Sequence, residues 1–483
     1  MKSPICVSNI CVTNSKQTAS FSIAGLMLAI APLWLMLAFG SPANAQTSTT
    51  DTSPDWTQFH RDNMQRWNPY ETVVGVNNVG SLALAWSVLD GGNGPAAVVK
   101  GGVYVSGGSI VNNLYALNAS TGAQLWSYTT GGGISSSPAV ANGVVYVGSG
   151  DANVYALNAS TGAKLWSYTT GGGIDSSAAV VNGVVYIGSG DNNVYALNAG
   201  TGALIWKYAT GNSVESSPAV ANGVVYIGSD DGNVYALNAS TGSLIWKYAT
   251  GNSVDSSPAV ANGVVYVGSE NGSGVYALNA STGALLWSYT TGGGVDSPAV
   301  ANGVVYVGCS DGLCALNAST GVELWSYPAG VQSSPAVANG VVYFASDIIC
   351  CREYAAPYSI IYALNASTGA PLWETSLPGD AIGAVAVANG VVYLGSLGFY
   401  AAGANPALNA SNGALLWSYF TGDTPVSPTV VNGTLYFGSS AFILGADLFL
   451  RIQPTPTTVQ QGDLITYAFP VWNLGPVNAD QQC

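Results

Sequence analysis

Residues 156–166 read Ala-Leu-Asn-Ala-Ser-Thr-Gly-Ala-Lys-Leu-Trp, and near copies of this stretch recur through most of the chain. The first four of the closing tryptophans are forty residues apart, and four more follow at less regular spacing. The eight are Trp126, Trp166, Trp206, Trp246, Trp287, Trp325, Trp373 and Trp417. A repeat of about forty residues with several short strands is typical of a β-propeller or a solenoid.

One repeat, residues 177–211, contains four short apolar runs that are separated by turn sequences. Asn182-Gly183, between the first two runs, is typical of a two-residue hairpin, which requires antiparallel neighbours. The runs 178–181, 184–189, 194–198 and 203–208 are predicted strands, called A, B, C and D here. Four antiparallel strands per repeat predict a propeller blade and disfavour the alternative, a parallel β-helix.

The repeated stretch resembles the tryptophan-docking motif of propellers of the pyrroloquinoline-quinone (PQQ) type, Ala-x-Asp-x-x-Thr-Gly-x-x-x-Trp, with Asn158 at the Asp position. Eight ordered copies carry the resemblance. Residues 55–59, Asp-Trp-Thr-Gln-Phe, are similar to a segment that often precedes the repeats in this family. The resemblance implies an all-β fold, a single β-propeller in which each tryptophan packs between adjacent blades.

The number of blades follows less directly from the repeats. Eight complete units begin near Pro95, Ser137, Ser177, Ser217, Ser257, Ser297, Ser333 and Gly383. A further D-type run lies at 82–88, and a further A–B pair lies at 427–438. These remnants are complementary, so the N- and C-terminal strands are expected to close the ring. Counting the remnants as one shared blade gives nine blades, whereas propellers of the resembled family usually have eight. We therefore expect eight blades, with nine as the alternative.

The ring is predicted to occupy residues 95–445, after an N-terminal segment with a closing strand at 46–94. Residues 1–45 hold an apolar run that ends in Ser-Pro-Ala-Asn-Ala, which predicts a signal peptide or, alternatively, an uncleaved membrane anchor. Residues 446–483 resemble the opening strands of an immunoglobulin-like repeat of prokaryotic surface proteins, and are too short for a complete sandwich. We therefore expect an exported protein of the periplasm, cell surface or medium, with membrane contact only through an uncleaved N-terminus.

Composition excludes several classes of function. The 483 residues include 10 Lys and Arg, 24 Asp and Glu and one histidine, for a net charge of −14. Ten dispersed cations cannot form the basic patch that nucleic acid requires. His60 has no visible partner, so Ser-His-Asp chemistry and histidine metal sites are not expected. No catalytic or cofactor-binding residue is predicted.

The charges are expected to separate between the two rims of the ring. Because strand direction alternates within a blade, the A–B and C–D turns share one rim, and the B–C and D–A turns share the other. The first rim receives uncharged turns, and the second receives a row of carboxylates. Four carboxylates occupy equivalent positions before strand A, at Asp175, Glu215, Asp255 and Asp296. Such an arc would focus negative potential and could bind Ca²⁺, unless Asp and Glu simply favour turns and solvent there.

Five cysteines follow the predicted signal peptide. Cys309 and Cys314 face each other across a B–C turn, which predicts a disulfide in an oxidising compartment, with free buried thiols as the alternative. Cys350-Cys351 lies in an insertion, residues 347–359. This dipeptide resembles the vicinal disulfide of quinoprotein alcohol dehydrogenases without the surrounding family sequence, and a structural or accidental pair is the alternative.

These patterns favour a non-enzymatic exported propeller that binds a protein, a glycan or another cell-envelope component through its acidic rim. The family resemblance implies two alternatives, a PQQ-dependent dehydrogenase and an outer-membrane assembly factor similar to the Bam-complex propeller. The dehydrogenase would need cations for its acidic cofactor and a singular catalytic constellation, which near-identical repeats do not offer. The assembly factor would be expected to carry a lipid-anchor cysteine, and none lies beside the predicted cleavage site.

Overall fold

The computed structural model describes the following residues: 67–69, 71–88, 96–107, 112–270, 274–293, 297–310, 312–331, 334–348, 358–378, 385–395, 405–419, 427–444, 448–450, 453–455, 466–468 and 471–473. The predicted signal peptide and the Cys350-Cys351 pair lie outside them. No helix within these ranges has the length and apolar character needed to cross a membrane. The elements are almost entirely short strands, as the all-β prediction requires.

Nine blades of four antiparallel strands form the ring and are numbered 1–9 from the first complete repeat; in blade 8 the parallel strand β1 adds a fifth strand to the sheet. Before them come β1 (Trp67–Asn68), a 3₁₀ turn (Val79–Ser81) and β2 (Leu82–Ser87). Blade 1 contains β3 (Ala97–Val99), β4 (Gly102–Ser106), β5 (Asn113–Asn118) and β6 (Gln124–Thr129). Blade 2 contains β7 (Ala139–Ala141), β8 (Val144–Gly148), β9 (Asn153–Asn158) and β10 (Lys164–Thr169). Blade 3 contains β11 (Ala179–Val181), β12 (Val184–Ser189), β13 (Asn193–Asn198) and β14 (Leu204–Ala209).

Blades 4 to 6 continue the same order of four strands. Blade 4 contains β15 (Ala219–Ala221), β16 (Val224–Ser229), β17 (Asn233–Asn238) and β18 (Leu244–Ala249). Blade 5 contains β19 (Ala259–Ala261), β20 (Val264–Ser269), β21 (Gly274–Asn279) and β22 (Leu285–Tyr289). Blade 6 contains β23 (Ala299–Ala301), β24 (Val304–Cys309), β25 (Gly312–Asn317) and β26 (Glu323–Tyr327). Each of these blades pairs its strands in the order A–B–C–D.

Blades 7 to 9 are less regular in strand length. Blade 7 contains β27 (Ala336–Ala338), β28 (Val341–Ile348), β29 (Tyr358–Asn365) and β30 (Pro371–Pro378). Blade 8 contains β31 (Val385–Ala388), β32 (Val391–Leu394), β33 (Asn405–Asn409) and β34 (Leu415–Tyr419). Blade 9 contains β35 (Pro428–Val431), β36 (Thr434–Phe437) and β37 (Ser440–Leu444), together with β2. Four short strands follow, β38 (Leu448–Leu450), β39 (Gln453–Thr455), β40 (Thr466–Ala468) and β41 (Val471–Asn473), paired β38 with β41 and β39 with β40. The immunoglobulin-like resemblance of this segment stays a prediction.

The structure has nine blades rather than the favoured eight, so the alternative count is the correct one. The ninth blade exists because the N-terminal strand β2 pairs antiparallel with β37, from Leu82↔Leu444 to Ser87↔Ser440. Strand β2 thereby becomes the D strand of blade 9. The inner A strands contact one another in succession, and the A strand of blade 9 contacts that of blade 1. Closure of the ring by terminal strands is therefore confirmed, and it removes the open edges.

The docking motif explains how neighbouring blades hold together. Trp166 of blade 2 donates its Nε1–H to the Ala199 carbonyl in the C–D turn of blade 3 at 2.9 Å. Tyr146 of strand B donates its hydroxyl to the same carbonyl at 3.1 Å. Gly202 in that turn has φ +71°, and a Cβ there would lie 2.6 Å from the Trp166 ring. The motif is thus an assembly device, as the resemblance implied.

Strand β1 lies on one side of the central channel, against the inner strands. Strand β1 pairs in parallel with β31, the inner strand of blade 8, and Asn68 donates to the Val430 carbonyl of blade 9 at 2.7 Å. The inner strands of blades 6 to 9 are buried along their length, whereas all three residues of β11 and of β15 are partly exposed. The channel side of blades 3 and 4 is therefore the accessible one.

Candidate functional site

Hydrogen bonds sort the turns of the ring into two rims. The C–D and A–B turns of blade 2 are joined by a bond from the Ala159 amide to the Gly143 carbonyl, 2.9 Å. On the opposite side, the Gly150 amide of its B–C turn donates to Gly133 in the preceding D–A loop, 2.8 Å. We call the A–B and C–D side the neutral rim, although one of its A–B turns contains Lys100 where the sequence predicted uncharged turns, and we call the B–C and D–A side the acidic rim.

One set of carboxylates on the acidic rim belongs to the architecture of the B–C turns. Asp151 accepts hydrogen bonds from the Gly131 amide and the Tyr155 hydroxyl, both at 2.6 Å, and from the Asn153 amide at 3.0 Å. Burial alone would raise the pKa of Asp151, but these hydrogen bonds outweigh it and hold the pKa below its usual value. Asp191 and Asp231 repeat this arrangement in blades 3 and 4. The turn-forming interpretation accounts for these three residues.

A second set lies in the D–A loops, next to the inner strands. Asp175 stands between Ile174 and Ser176, which are both buried, and its own side chain is exposed. Glu215 and Asp255 occupy the same position in the next two loops, and Glu215 is likewise exposed. Because buried residues flank this position, the backbone directs the carboxylate outward at the channel mouth. Within these loops the Ser253 hydroxyl donates to Asp255 at 2.8 Å, and Ser213 bonds Glu215 in the same way, whereas Asp151 is held by two backbone amides and a tyrosine hydroxyl.

Serines fix these loops relative to one another. The Ser137 amide donates to Ser177 Oγ, the Ser177 amide to Ser217 Oγ, and the same bond continues through Ser257 to Ser297, at 3.0–3.1 Å. This chain of hydrogen bonds crosses from blade 2 to blade 6 at one radius. It holds the D–A carboxylates of adjacent blades in register.

Two further carboxylates, which the prediction of the arc did not include, join this set. Asp230 and Glu270 stand in the B–C turns of blades 4 and 5, where blades 2 and 3 have Gly150 and Gly190. Asp230 and Glu270 both lie within hydrogen-bonding reach of Asp255. The sequence shows that acids replace glycine at this position of the B–C turn in blades 4 and 5. It does not show that these two B–C turns come close to the D–A carboxylates at the channel mouth. Five carboxylates, which we call the carboxylate cluster, result: Asp175, Glu215, Asp230, Asp255 and Glu270.

The members of the carboxylate cluster influence one another. Burial and then the charges of Asp175 and Asp255 raise the pKa of Glu215. Burial, contact with Asp255 and the negative charge of that neighbour raise the pKa of Asp230 to about 7. One buried oxygen of Asp230, Oδ1, accepts no hydrogen bond from the described residues, which further disfavours its ionised form. Hydrogen bonds with Asp230, Ser253 and Glu270 outweigh burial at Asp255 and hold its pKa below the usual value. The repulsion at neutral pH therefore acts on Glu215 and Asp230.

The predicted calcium arc is only partly visible. Asp175, Glu215 and Asp255 lie at equivalent positions, and Asp296 lies outside the described residues. Within the described part of the chain, no three His, Cys, Asp or Glu side chains converge closely enough to hold a metal ion. The calcium site stays a prediction.

The quinone cofactor that the family resemblance implies does not fit the charges of the described residues. Their cations are Lys100 in an A–B turn and Lys164, Lys207 and Lys247 on the outer D strands. The accessible channel mouth instead holds the carboxylate cluster, which would repel an acidic quinone. We therefore assign no residue to this cofactor.

Blade 6 contains a disulfide between Cys309 and Cys314, whose Cα atoms are 6.0 Å apart. It joins strands B and C of one blade, on either side of the turn that the sequence indicated. Cys314 is buried and Cys309 is partly exposed. A disulfide here is consistent with an oxidising compartment.

Comparison with known proteins places the chain among relatives of one repeat type. The sequence matches the family described as outer membrane protein assembly factor BamB over residues 56–215, 190–347 and 330–448. No curated protein matches the sequence. Among solved structures, BamB from Moraxella catarrhalis is 20% identical with a TM-score of 0.51, over 65% of this chain and 97% of that one.

Two quinohemoprotein alcohol dehydrogenases are similar to the same degree. ADHIIG from Pseudomonas putida HK5 is 21% identical with a TM-score of 0.57, over 82% of this chain and 76% of that one. The enzyme from Comamonas testosteroni is 18% identical with a TM-score of 0.58, over 81% and 78% respectively. At such identities these similarities establish the fold alone. Because the family match covers most of the sequence, the chain belongs to the family described as outer membrane protein assembly factor BamB, whose members are PQQ-like repeat β-propellers.

Proposed function

We propose that the protein is a non-enzymatic, exported propeller that binds a cell-envelope protein through the carboxylate cluster on its acidic rim. The observation that carries the proposal is the difference between the two sets of acids on this rim. The side chains of Asp151, Asp191 and Asp231 accept hydrogen bonds that stabilise their own B–C turns. The cluster carboxylates instead contact one another: Asp230 and Glu270 lie within hydrogen-bonding reach of Asp255, and Asp175 and Asp255 act on Glu215 through their charges, at the accessible side of the channel.

The pKa shifts support a binding role for this surface. A carboxylate whose pKa is raised by its neighbours destabilises the free protein at neutral pH, because it must ionise against their charges. Glu215 and Asp230 are both in that position. A segment of a partner carrying Lys or Arg would relieve the repulsion, since opposite charges favour the ionised form. The cluster is therefore suited to a cationic surface of a protein.

Three observations support an envelope location. The family description names an outer membrane assembly factor, residues 1–45 read as a signal peptide or anchor, and the Cys309–Cys314 disulfide fits an oxidising compartment. The partner class follows from this location and from the negative charge. A glycan partner would not by itself exploit five carboxylates.

The test uses the full chain, immobilised and exposed to envelope extract from its own host. The variant Asp175→Asn/Glu215→Gln/Asp255→Asn removes three cluster charges, and Glu374→Gln, on the outer strand of blade 7, is the charge-loss control. Wild type and the control are expected to retain the same protein, and the triple variant to bind it at least tenfold more weakly. High salt should weaken the wild-type complex in the same way.

Two results would overturn the proposal. The first is equal capture of the partner by the triple variant and wild type. The second is dye reduction with alcohols after reconstitution with PQQ and Ca²⁺, which would make the protein an enzyme. The circular dichroism spectrum and melting temperature of each variant check that a loss of capture does not reflect unfolding.

A further inference from the structure

The interface between blades 5 and 6 departs from the repeat. At four other interfaces, a tyrosine of strand D packs against a tyrosine of strand C in the next blade, with ring centroids 5.4–5.7 Å apart. These pairs are Tyr128–Tyr155, Tyr168–Tyr195, Tyr208–Tyr235 and Tyr248–Tyr276. In blade 6 the strand-C position is Cys314. The tyrosine of strand D in blade 5, Tyr289, therefore faces a sulfur where its counterparts face a phenol ring.

A cleft of about 460 Å³ lies at this interface. One wall is Tyr289 and residues 290–292 of blade 5, and the other is Ser326, Tyr327 and Pro328 of blade 6. The disulfide keeps the Cys314 sulfur close to Cys309, so the sulfur does not extend into the space that a ring would occupy. The volume falls within the range of about 300–1,000 Å³ that is typical of small-molecule sites.

The groups at the mouth of the cleft are polar. Glu323 accepts hydrogen bonds from the Tyr289 hydroxyl and from Ser326, and these bonds hold the pKa of its carboxyl below the usual value. The carboxylate is exposed and ionised at neutral pH, and its oxygens have lone pairs for a further donor. Ser310 and Thr291 add hydroxyl groups to the lining.

We propose that this cleft binds a phenol ring, supplied by a small phenolic compound or by a tyrosine side chain of another protein. The filled interfaces show what the ring would do. There the strand-C tyrosine packs in a tilted pair with the strand-D tyrosine, and in blades 2 and 3 its hydroxyl donates to Asp151 and Asp191 at 2.6 Å. A phenol in the cleft would pack on Tyr289 in the same way, and it would donate to Glu323, which stands at the start of strand D of blade 6 and not in a B–C turn.

The same groups could attract an organic cation, because a carboxylate beside aromatic rings favours positive charge. The phenol is the better fit because the space arises from the replacement of a ring. A flat aromatic group restores the contact that the four interfaces named above make and that a fifth pair, Tyr327–Tyr362, makes between blades 6 and 7. Methylguanidinium therefore serves as the competing probe in the test.

The test titrates p-cresol, the side chain of tyrosine, into the full-length protein and follows binding by ligand-observed NMR. The variant Cys309→Ser/Cys314→Tyr restores the repeat residue and fills the cleft, and p-cresol affinity should fall at least tenfold. The matched control Cys309→Ser/Cys314→Ser removes the disulfide but leaves the cleft, and should bind within threefold of wild type. Methylguanidinium should bind at least tenfold more weakly than p-cresol.

A second measurement uses an interface that is filled. Tyr235→Ala between blades 3 and 4 removes the ring that packs on Tyr208 and should create a second p-cresol site. N-acetyltyrosinamide tests whether the natural phenol ring belongs to a protein tyrosine or to a small phenolic compound. Binding at least tenfold tighter than that of p-cresol indicates a tyrosine of a protein. Equal or weaker binding indicates a free phenol.

Three outcomes would overturn the proposal. They are unchanged p-cresol affinity in the Cys314→Tyr variant, loss of binding in the serine control, and methylguanidinium binding as tight as that of p-cresol. None of these bears on the carboxylate cluster, so this site can fail while the proposed function stands.

Discussion

The two rims of the propeller come from the same repeat but obey different constraints. On the neutral rim every A–B turn of the nine blades ends in a glycine with φ between +77° and +79°. In blades 1 to 8 the C–D turn receives the tryptophan of the preceding blade, as Ala199 receives Trp166. On the acidic rim one B–C position is Gly150, Gly190, Asp230 and Glu270 in successive blades. The glycines that assemble the ring on the neutral rim are constant, whereas this acidic-rim position differs between blades, so we expect specific recognition on the acidic rim.

The largest expected effect tests the constraint on the neutral rim. Gly202→Ala places a Cβ 2.6 Å from the Trp166 ring at a φ of +71°, and should lower the free energy of unfolding by about 2–4 kcal/mol. Gly183→Ala is the matched control, because its φ is +77° but open space surrounds the new Cβ, and it should lose only about 1 kcal/mol. Urea denaturation of both variants measures the difference. Equal losses would show that backbone strain alone, rather than tryptophan docking, constrains this rim.

The next effect concerns the attachment of the N-terminal segment to the neutral rim. Glu71 is 2% exposed, and it accepts hydrogen bonds from the amides of Val73, Val74 and, in the A–B turn of blade 9, Gly433. Glu71→Ala leaves these buried donors without their acceptor and should lower the free energy of unfolding by about 2–3 kcal/mol. Limited proteolysis should then release the N-terminal segment first. Unchanged proteolysis and stability would mean that ring closure does not depend on this carboxylate.

A smaller pair of effects, of opposite sign, separates the two sets of acids on the acidic rim. The pKa of Asp191 is lowered on folding, so its ionisation stabilises the protein above the unfolded-state pKa, and this contribution is lost as the pH falls through the folded-state value. Asp191→Asn should therefore lower the melting temperature at pH 7 by about 1–2 °C. The pKa of Asp230 is raised to about 7, so its ionisation destabilises the fold increasingly as the pH rises from about 4 to 7.

Asp230→Asn should accordingly raise the melting temperature by about 1–2 °C at pH 8 and leave it unchanged at pH 4. Thermal melts of the two variants across this pH range measure both effects. If both substitutions destabilised at pH 8, the distinction between turn-forming and cluster carboxylates would be lost.

An effect of the same small size is expected of calcium on the acidic rim. Millimolar Ca²⁺ should raise the melting temperature of the wild type by about 1–2 °C, since a ligand that binds only the folded state stabilises it. Asp175→Asn/Glu215→Gln/Asp255→Asn/Asp296→Asn should abolish the rise, with Mg²⁺ as the ion control. A wild type that does not respond to calcium would remove the cation site and leave the cluster as a protein-binding surface.

Much of the fold could be predicted because its signals are local. Asn182 and Gly183 have φ of +51° and +77°, the backbone that the hairpin sequence requires. The forty-residue spacing predicted the blade, and the docking motif predicted the contact of Trp166 with the next one. At the candidate site, Asp175, Glu215 and Asp255 were found by their equivalent positions. Asp230 and Glu270 were not included with them, because their approach to Asp255 depends on how two neighbouring blades pack.

The chain by itself therefore determined the repeating unit, its turns, its docking residues and the segregation of charge, since each depends on residues close in sequence. Only the tertiary structure decided the count of nine, because closure rests on the pairing of β2 with β37, far apart in the chain. It also left the Tyr393 hydroxyl buried without a partner among the described residues, because blade 9 has no continuous C–D turn to supply the usual carbonyl. The accessible side of the channel, the carboxylate cluster and the cleft beside Cys314 arise from contacts between blades, which no single repeat encodes.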